Sequence, residues 1–271
     1  MKLPIYQIDA FADKPFQGNP AAVCPLVSWL PDETLQAIAE ENNLAETAFF
    51  VEEEDGYQIR WFTPIREVNL CGHATLAAAH ALFDGDCEDR TEIAFQSKSG
   101  PLRVLRDKDH LTLDFPMEPG TPCAAPEALI SGLGLEPSEC YRASDYLAVF
   151  ESSSDVVALY PDFKALEELD LRGVIVTAPG ESEDFVSRFF APKYGIDEDP
   201  VTGSAHCALA PYWADKLGKN VLTARQASKQ AGRLICEIAD DRVLISGRTV
   251  AYLKGQIEIE DVSRPGGPGT R

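Results

Sequence analysis

The sequence is short of basic side chains and of histidine, and both shortages exclude classes of function. Its 24 Lys and Arg residues stand against 44 Asp and Glu residues, which gives a formal net charge of −20. A field of that sign repels nucleic acids and anionic lipid surfaces, so we expect no nucleic-acid partner and no membrane partner. The four histidines form no HExxH motif and no Cys/His cluster at zinc-ligand spacing, so we predict no metal.

Paired cysteines, long apolar runs and nucleotide-binding motifs are missing as well. The seven cysteines include no CxxC pair, and their odd number fits a reducing compartment better than a disulfide framework. The chain starts directly with an alternating apolar pattern rather than a signal peptide, and no stretch reaches membrane-spanning length. No flavin or nicotinamide motif is present. We therefore expect a cytoplasmic protein without a cofactor, for which a homodimer is one candidate assembly.

What the sequence does contain is one structural plan that occurs twice. In each half, strand-like alternation leads to an amphipathic helix, further strands, a glycine-containing turn and a helix that is apolar nearly all round. These two apolar helices start near Gly72 and Gly203. A helix that is apolar on all sides must be buried on all sides, so we expect a sheet to wrap around each one. The two halves are predicted to be diverged copies.

A segment rich in proline and small residues, 118–129, marks the predicted boundary between the halves. We place the boundary near Pro116, which gives an N-terminal half over 1–116 and a C-terminal half over 117–271. The last strand is free to pack back on the first half, and about 262–271 is expected to form a disordered tail. Within the second half, the pattern predicts a strand over 156–159.

The two glycine turns are candidate sites for an anionic ligand. Each offers unpaired backbone N–H groups and the positive end of a helix dipole, after a glycine that lets a ligand approach closely. Two such ends facing one cleft would bind a carboxylate, and the hydroxyls of Thr75, Thr202 and Ser204 would add donors without any arginine. The competing interpretation is ordinary helix capping by Asp199, Thr202 or Ser204. The duplicated context favours ligand binding.

Three side chains near the first turn are candidates for proton chemistry. Glu46 stands at the mouth of an apolar strand, where partial burial would suit it to proton transfer, although a solvated strand-end carboxylate is the alternative. His73 follows Gly72, and the helix dipole is expected to keep it neutral as a donor or proton relay, unless it is a structural histidine. Cys71 is expected to have a lowered thiol pKa as a candidate acid, base or nucleophile, or else to be an inert buried cysteine.

These residues lie in stretches that resemble the PhzF-like family, which is named after phenazine biosynthesis. The stretches are GNPAAV (18–23), NLAETAFF (43–50), RWFTPIREVNLCGHATLAAAHAL (60–82), DEDPVTGSAHC (197–207) and QASKQAGRL (226–234). They occur in the family order and cover nearly the whole chain. The resemblance implies an α+β, diaminopimelate-epimerase-like fold: two pseudo-symmetric domains, each a curved β-sheet wrapped around a central helix, with the active site in the cleft between them.

The resemblance also implies an activity and a set of site residues. The activity is that of a cofactor-independent isomerase acting on a small carboxylate-bearing molecule, with Glu46 as the acid/base. The resemblance implies that His73, Asp199 and Ser204 line the site, and we take His73 and Asp199 as catalytic together with Glu46. It also implies that Gly72, Gly203 and Asn19 help to hold the substrate, to which the Thr202 hydroxyl is added as a binding group.

Two departures from related patterns leave alternatives open. Related proline racemases and diaminopimelate epimerases place a cysteine before each central helix, whereas here Cys71 stands at the first position and Asp199 at the second. The chain therefore lacks the second thiol that a two-thiol mechanism requires. The QASKQAG stretch (226–232) replaces a more usual basic-Gly-Gly pattern. The rival hypotheses are an amino-acid racemase or epimerase that uses Cys71 with Asp199 or Glu46, and a non-catalytic binding protein that has kept the fold.

Overall fold

The computed structural model describes residues 1–259, in which strands outnumber helices. The strands are β1 (Lys2–Ala10), β2 (Asn19–Leu26), β3 (Glu46–Glu53), β4 (Gly56–Phe62), β5 (Glu67–Val68), β6 (Glu92–Ser97), β7 (Gly100–Asp107), β8 (His110–Pro116), β9 (Thr121–Pro122), β10 (Glu139–Arg142), β11 (Tyr146–Val149), β12 (Val174–Pro179), β13 (Phe185–Phe190), β14 (Val221–Gln226), β15 (Gly232–Ala239) and β16 (Arg242–Glu258). The helices are α1 (Asp32–Asn42), α2 (Gly72–Phe83), α3 (Glu127–Leu133), α4 (Ser153–Ala158), α5 (Phe163–Glu167) and α6 (His206–Leu217). The tail predicted at about 262–271 lies outside the described residues.

The order of strand pairings is the same in the two halves of the chain. In the first half, β1–β2 and β3–β4 are antiparallel, β2–β3 and β4–β6 are parallel, and β7 and β8 follow antiparallel. From β10 to β16 the same sequence of antiparallel and parallel pairings recurs. Each parallel pairing needs a crossover, which α1 and α2 supply in the first half and α4–α5 and α6 in the second. This repeat confirms the predicted fold of two pseudo-symmetric halves.

The longest strand, β16, connects the two halves. Its first part pairs with β8 on one side and β15 on the other, while its second part, 249–258, pairs with β1. The strands of the first half, together with β16, therefore form a closed ring around α2. The strands of the second half end at β9 and leave the sheet open there. Since the sheet runs across the position where we divide the chain, at Pro116, that division stays a prediction.

Each sheet wraps around one apolar helix, as the sequence predicted. All residues of 73–79 in α2 and of 206–210 in α6 are buried. Pro211 inside α6 has no N–H for the carbonyl of Cys207, and this carbonyl instead accepts the backbone N–H of Glu118 at 2.9 Å. Among residues 1–259, the structure contains no helix with both the length and the apolarity that a membrane crossing requires.

The segment 156–159 was predicted as a strand, and this prediction was wrong. The segment overlaps α4, whose first turn is capped by Ser152: the Oγ atom accepts the backbone N–H of Ser154 at 3.1 Å. Val156 is fully buried while its neighbour Val157 is 54% exposed. Two adjacent valines are typical of strands, but the preceding serine cap favours the helix.

Candidate active site

The N-terminal ends of α2 and α6 face each other where the two halves meet. A Cβ atom placed on Gly203 would lie 3.9 Å from the Cα atom of Gly72, so the two glycine turns are almost in contact. The residues that precede the helices, Cys71 and Ala205, make no side-chain capping bond. Ordinary capping therefore does not account for these ends. The first N–H groups of α6, at 206–208, bond to the carbonyls of 203–205. Among residues 1–259, the N–H groups without a backbone acceptor are therefore those of Gly72 and His73 at the first end and of 203–205 at the second, and these can bind a ligand.

A cavity of about 440 Å³ opens at these two helix ends. Its lining contains eight of the predicted site residues, namely Glu46, Cys71, Gly72, His73, Asp199, Thr202, Gly203 and Ser204. The ninth, Asn19, is fully buried and lies outside the lining. A separate cavity of about 340 Å³ beside Phe11 and Arg248 contains none of the nine. The cavity at the helix ends is therefore the candidate active site.

Glu46 and His73 form a close pair at the first helix end. Glu46 opens β3, and its Oε2 atom lies 3.2 Å from Nε2 of His73. Both side chains are nearly buried, with exposed fractions of 11% and 6%. The separation is that of an ion pair, but the two atoms are not aligned as hydrogen-bond donor and acceptor, and neither has another partner among the described residues. Both atoms can therefore bond to a substrate in the cavity.

The thiol of Cys71 lies next to this pair but is not activated. Its Sγ atom is 3.5 Å from Nδ1 of His73. Burial raises the pKa of the Cys71 thiol to about 11, and the Glu46 carboxylate acts in the same direction. The prediction of a lowered thiol pKa was therefore wrong, because loss of water outweighs the field of the helix end. At neutral pH the sulfur is a thiol and not a thiolate base.

The prediction that the helix dipole keeps His73 neutral was also wrong. Burial alone lowers the pKa of the His73 imidazole, but negative charge at Cys71 and Glu46 outweighs burial and holds the pKa well above its ordinary value. Since Cys71 is a thiol at neutral pH, we attribute the raised pKa to the Glu46 carboxylate. The His73 imidazole therefore keeps its proton to a higher pH than an ordinary histidine does.

Asp199 lies before the second helix end and is held by hydrogen bonds on both oxygens. Its Oδ1 atom accepts from Nδ2 of Asn19 at 2.7 Å, and Oδ2 accepts from Oγ1 of Thr202 at 2.5 Å. Burial raises the pKa of Asp199 to about 6, while attraction to His73 and the two hydrogen bonds act in the opposite direction. The carboxyl group therefore titrates close to neutral pH, which suits proton transfer.

Asn19 lies behind the cavity and bonds to the segment before the second helix end. Its Nδ2 atom lies 2.7 Å from Asp199, 2.9 Å from the carbonyl of Val201 and 3.2 Å from Nδ1 of His73. An amide nitrogen has two hydrogens, so the two shorter contacts take them. The resemblance implied that Asn19 assists at the site. In the structure it positions Asp199 and the turn at Val201 and does not reach the cavity.

A buried glutamine, Gln226, fixes the turn before α6. Its Oε1 atom accepts the backbone N–H of Thr202 at 2.8 Å, and its Nε2 atom donates to the carbonyl of Asp199 at 2.8 Å and to Oγ1 of Thr202 at 3.2 Å. The hydroxyl of Thr202 is thus engaged within the protein. The hydroxyl of Thr75 donates to the carbonyl of Cys71 at 2.5 Å, and this side chain is fully buried, so Thr75 is not the ligand donor that was predicted.

Arg172 lines the cavity, whereas the sequence predicted anion binding without an arginine. Its Nε and Nη2 atoms bond to the carboxylate of Asp145 at 2.9 and 2.5 Å, and Nη2 lies 3.2 Å from Oγ of Ser204. The guanidinium carbon is 5.2 Å from the ring centre of Phe189. No motif marks this residue. The parallel pairing of β11 with β12 sets the starts of these strands side by side and brings Asp145 to Arg172.

Three potential metal donors lie together at the first helix end. One ligand atom each from Glu46, Cys71 and His73 falls within 4.8 Å of the others. Two helix N-termini point into the same cavity, however, and their partial positive charge favours an anion over a cation. The thiol is also protonated at neutral pH. The expectations of no metal and no cofactor stay predictions.

The family model for phenazine biosynthesis-like proteins (PhzC-PhzF) matches residues 8–255. The chain belongs to this family. An uncharacterized isomerase of Pseudomonas aeruginosa is 52% identical to this PhzF-like chain over 259 residues, which cover 96% of the chain and 100% of the relative. A crystal structure of a PhzF-family phenazine biosynthesis protein from Enterococcus faecalis superimposes with a TM-score of 0.93 at 46% identity, covering 96% of this chain and 100% of the other. The prediction of an enzyme of the PhzF-like isomerase family is confirmed.

A more distant likeness concerns the fold alone. A hydroxyproline epimerase from Agrobacterium vitis, solved with trans-4-hydroxy-L-proline bound, has a TM-score of 0.59 at 10% identity, covering 97% of this PhzF-like chain and 94% of the epimerase. The likeness confirms the epimerase-like fold that the sequence predicted.

Proposed function

We propose that this PhzF-like protein is a cofactor-independent isomerase of a small carboxylate-bearing molecule, and that Glu46 carries the transferred proton. The observation that carries the proposal is the Glu46–His73 pair, 3.2 Å apart and nearly buried, in a cavity that two helix N-termini enclose. A carboxylate oxygen that no protein donor occupies can accept a proton from carbon. Backbone N–H groups at both helix ends supply the charge stabilisation that such a step needs.

The proposed reaction moves one proton and needs no oxidant, reductant or cofactor. The Glu46 carboxylate removes a proton from a carbon beside a carboxylate or an unsaturated system, and the electron pair of the C–H bond moves into that system. The substrate then carries one more negative charge, which the N–H groups of the helix ends stabilise. The Glu46 carboxylic acid returns the proton to another carbon, and the double bond shifts. Enzyme and atoms are restored at the end of the cycle.

The other titratable groups support Glu46 in this proposal. The His73 imidazole, whose pKa is raised, places positive charge against the carboxylate and can donate to a substrate oxygen. Asp199 keeps the second helix end in place through Asn19 and Thr202, and its negative charge attracts the His73 imidazolium. His73 and Asp199 therefore act either on the proton that Glu46 transfers or on the negative charge that this transfer creates on the substrate.

Solvent deuterium tests the proposal directly. The protein is incubated in deuterated buffer with a panel of small carboxylic acids, and NMR follows the entry of deuterium at carbon and the appearance of an isomer. We expect at least one acid to exchange at a carbon beside its carboxylate or unsaturated system, and Glu46→Gln to lose that exchange while still binding the acid. Normal exchange in Glu46→Gln would refute the role of Glu46, and binding without exchange in the wild-type protein would favour the binding-protein hypothesis.

The racemase hypothesis has one observation on its side, since Cys71 and Asp199 both lie on the cavity. Against it, the pKa of the Cys71 thiol is raised to about 11, so the thiolate that a two-base stereoinversion needs is scarce at neutral pH. A racemase would interconvert enantiomers with deuterium entry at the stereocentre, whereas the proposed isomerase shifts a double bond. Product analysis in the same experiment separates the two.

A further inference from the structure

The guanidinium of Arg172 has hydrogen-bond donors that the protein does not use. Its Nε and Nη2 atoms are occupied by Asp145 and Ser204, but Nη1 makes no hydrogen bond within residues 1–259. The side chain is 39% exposed and lines the cavity. Nη1 therefore offers donors to a molecule in the cavity.

The surroundings of Arg172 hold it rigidly in place. Asp145 binds the fork of the guanidinium with both oxygens and is only 4% exposed, while the Phe189 ring lies 5.2 Å beneath the guanidinium carbon. A planar guanidinium fixed in this way loses little entropy when it binds a carboxylate or another planar oxyanion. Ser204, whose Oγ accepts from Arg172 at 3.2 Å, still has its own hydroxyl hydrogen to donate. Together they form a prearranged group of donors.

The cavity lining contains positive as well as negative side chains, with Arg66 and Arg172 beside Glu46, Glu67 and Asp199. The chain has a formal net charge of −20, yet two arginines, Arg172 and Arg66, lie on the cavity lining. Arg66 stacks on Tyr194 at the rim, with 4.6 Å between its guanidinium carbon and the ring centre. Two helix N-termini add partial positive charge. One carboxylate needs only the helix-end donors, so the arginines are available for a second anionic group.

We propose that Arg172 and Ser204 form a second anion subsite and that the substrate of this enzyme is a dianion. One carboxylate of the substrate lies at the N–H groups of the helix ends, and the other anionic group binds Nη1 of Arg172 and the hydroxyl of Ser204. The inference rests on the proposed function for the reaction that follows binding. The binding itself does not depend on Glu46, because Glu46 and Arg172 belong to different helix ends and different halves of the chain.

Calorimetric titration with succinate and monomethyl succinate tests the subsite, because the two probes are close in size and differ by one charge. We expect the wild-type protein to bind succinate at least about 10-fold more tightly, the smallest change that losing a hydrogen bond to a charged group produces. Arg172→Gln should abolish the preference and leave the affinity for monomethyl succinate nearly unchanged. Gln can still donate to Asp145, so this variant is chosen to keep the fold, and its thermal melting serves as the check.

Arg142→Gln is the matched control. Arg142 also binds a carboxylate, Asp170, and lies against an aromatic ring, Tyr146, but it is outside the cavity lining. This variant should keep the preference for succinate. Equal binding of both probes by the wild-type protein, no succinate binding at all, or equal weakening of both probes in Arg172→Gln would overturn the proposal. Titration of Glu46→Gln separates the two hypotheses. A preserved preference for succinate supports the subsite even if the wild-type protein shows no exchange and the proposed reaction is disproved, whereas a lost preference counts against the subsite.

Discussion

The two helix ends that meet in the cavity are alike in backbone and different in side chains. At the first end, Oε2 of Glu46 and Nε2 of His73 are buried without a hydrogen-bond partner among the described residues. At the second end, Asp199, Thr202 and Gln226 bond to one another and to the backbone, and the unpartnered Nε2 of His206 lies outside the cavity lining. Buried polar atoms without partners destabilise a fold, so a protein that keeps them has a use for them. In the proposed function, the first end therefore performs the chemistry and the second end holds the substrate.

The largest effect should follow from changing the first end. Glu46→Gln keeps the shape of the side chain and removes its basicity, so kcat should fall by at least about 100-fold, the usual contribution of a positioned acid or base. Binding of a carboxylate ligand should change little. Steady-state kinetics on the substrate found by deuterium exchange, together with calorimetric titration, measure both quantities. If ligand binding weakened by as large a factor as kcat fell, the proposal that the first end performs the chemistry and the second end binds the substrate would be wrong.

A smaller, pH-dependent effect is expected from Asp199 at the second end. Burial raises the pKa of its carboxyl group to about 6, and the ionised form is the one that accepts from Asn19 and attracts His73. The kcat/KM of the wild-type enzyme should therefore fall as the pH drops below about 6, by about tenfold per pH unit. Asp199→Asn should be least active relative to wild type at high pH and should lack this acid limb. If the pH profiles of kcat/KM were identical in wild type and Asp199→Asn, the Asp199 carboxyl group would not be the cause of the acid limb.

A change that loosens the second end without touching its charge should affect binding more than turnover. Gln226→Leu leaves the N–H of Thr202 and the carbonyl of Asp199 without their partner, so the turn before α6 becomes less ordered. We expect KM to rise about 10-fold with kcat nearly unchanged. Gln58→Leu is the control, since Gln58 accepts a bond from Trp29 and lies outside the cavity lining. A fall in kcat as large as the rise in KM would mean that the second end takes part in the chemistry.

The smallest effect is expected from Cys71, although this residue belongs to the first end. Its thiol pKa is raised to about 11, so it serves as a wall of the cavity rather than as a base. Cys71→Ala should keep kcat within about threefold of wild type, far from the loss that removing an acid or base causes. Alkylation by iodoacetamide should likewise be slow at neutral pH, because the thiolate is scarce and buried. Rapid modification with loss of activity would show that the thiol is more reactive than its surroundings indicate.

Local patterns in the sequence predicted the fold well and named candidate site residues that the structure brings together. The apolar runs after Gly72 and Gly203 identified both central helices because full burial leaves a composition that can be recognised without knowing the neighbours. Glu46, His73 and Asp199 were found through motifs in which each stands next to one of these turns or strands. The structure brings all three to one cavity.

Properties that depend on neighbours distant in sequence could not be predicted in the same way. The pKa directions of Cys71 and His73 follow from burial and from Glu46, which lies 25 or more residues away, and the local helix dipole pointed in the opposite direction. Arg172 reaches the cavity only because two parallel strands place it beside Asp145. Asn19 was predicted to assist at the ligand site. It begins β2, however, and at that position its side chain is fully buried behind the cavity.

The central claim is that the carboxylate of Glu46, and not the thiol of Cys71, moves the proton. The most direct test is the rate of deuterium entry into one substrate, measured by NMR in deuterated buffer for wild type, Glu46→Gln and Cys71→Ala side by side. We expect a near-normal exchange rate in Cys71→Ala and an exchange rate at least about 100-fold lower in Glu46→Gln. An active Glu46→Gln beside an inactive Cys71→Ala would contradict the central claim and would assign the chemistry to the thiol.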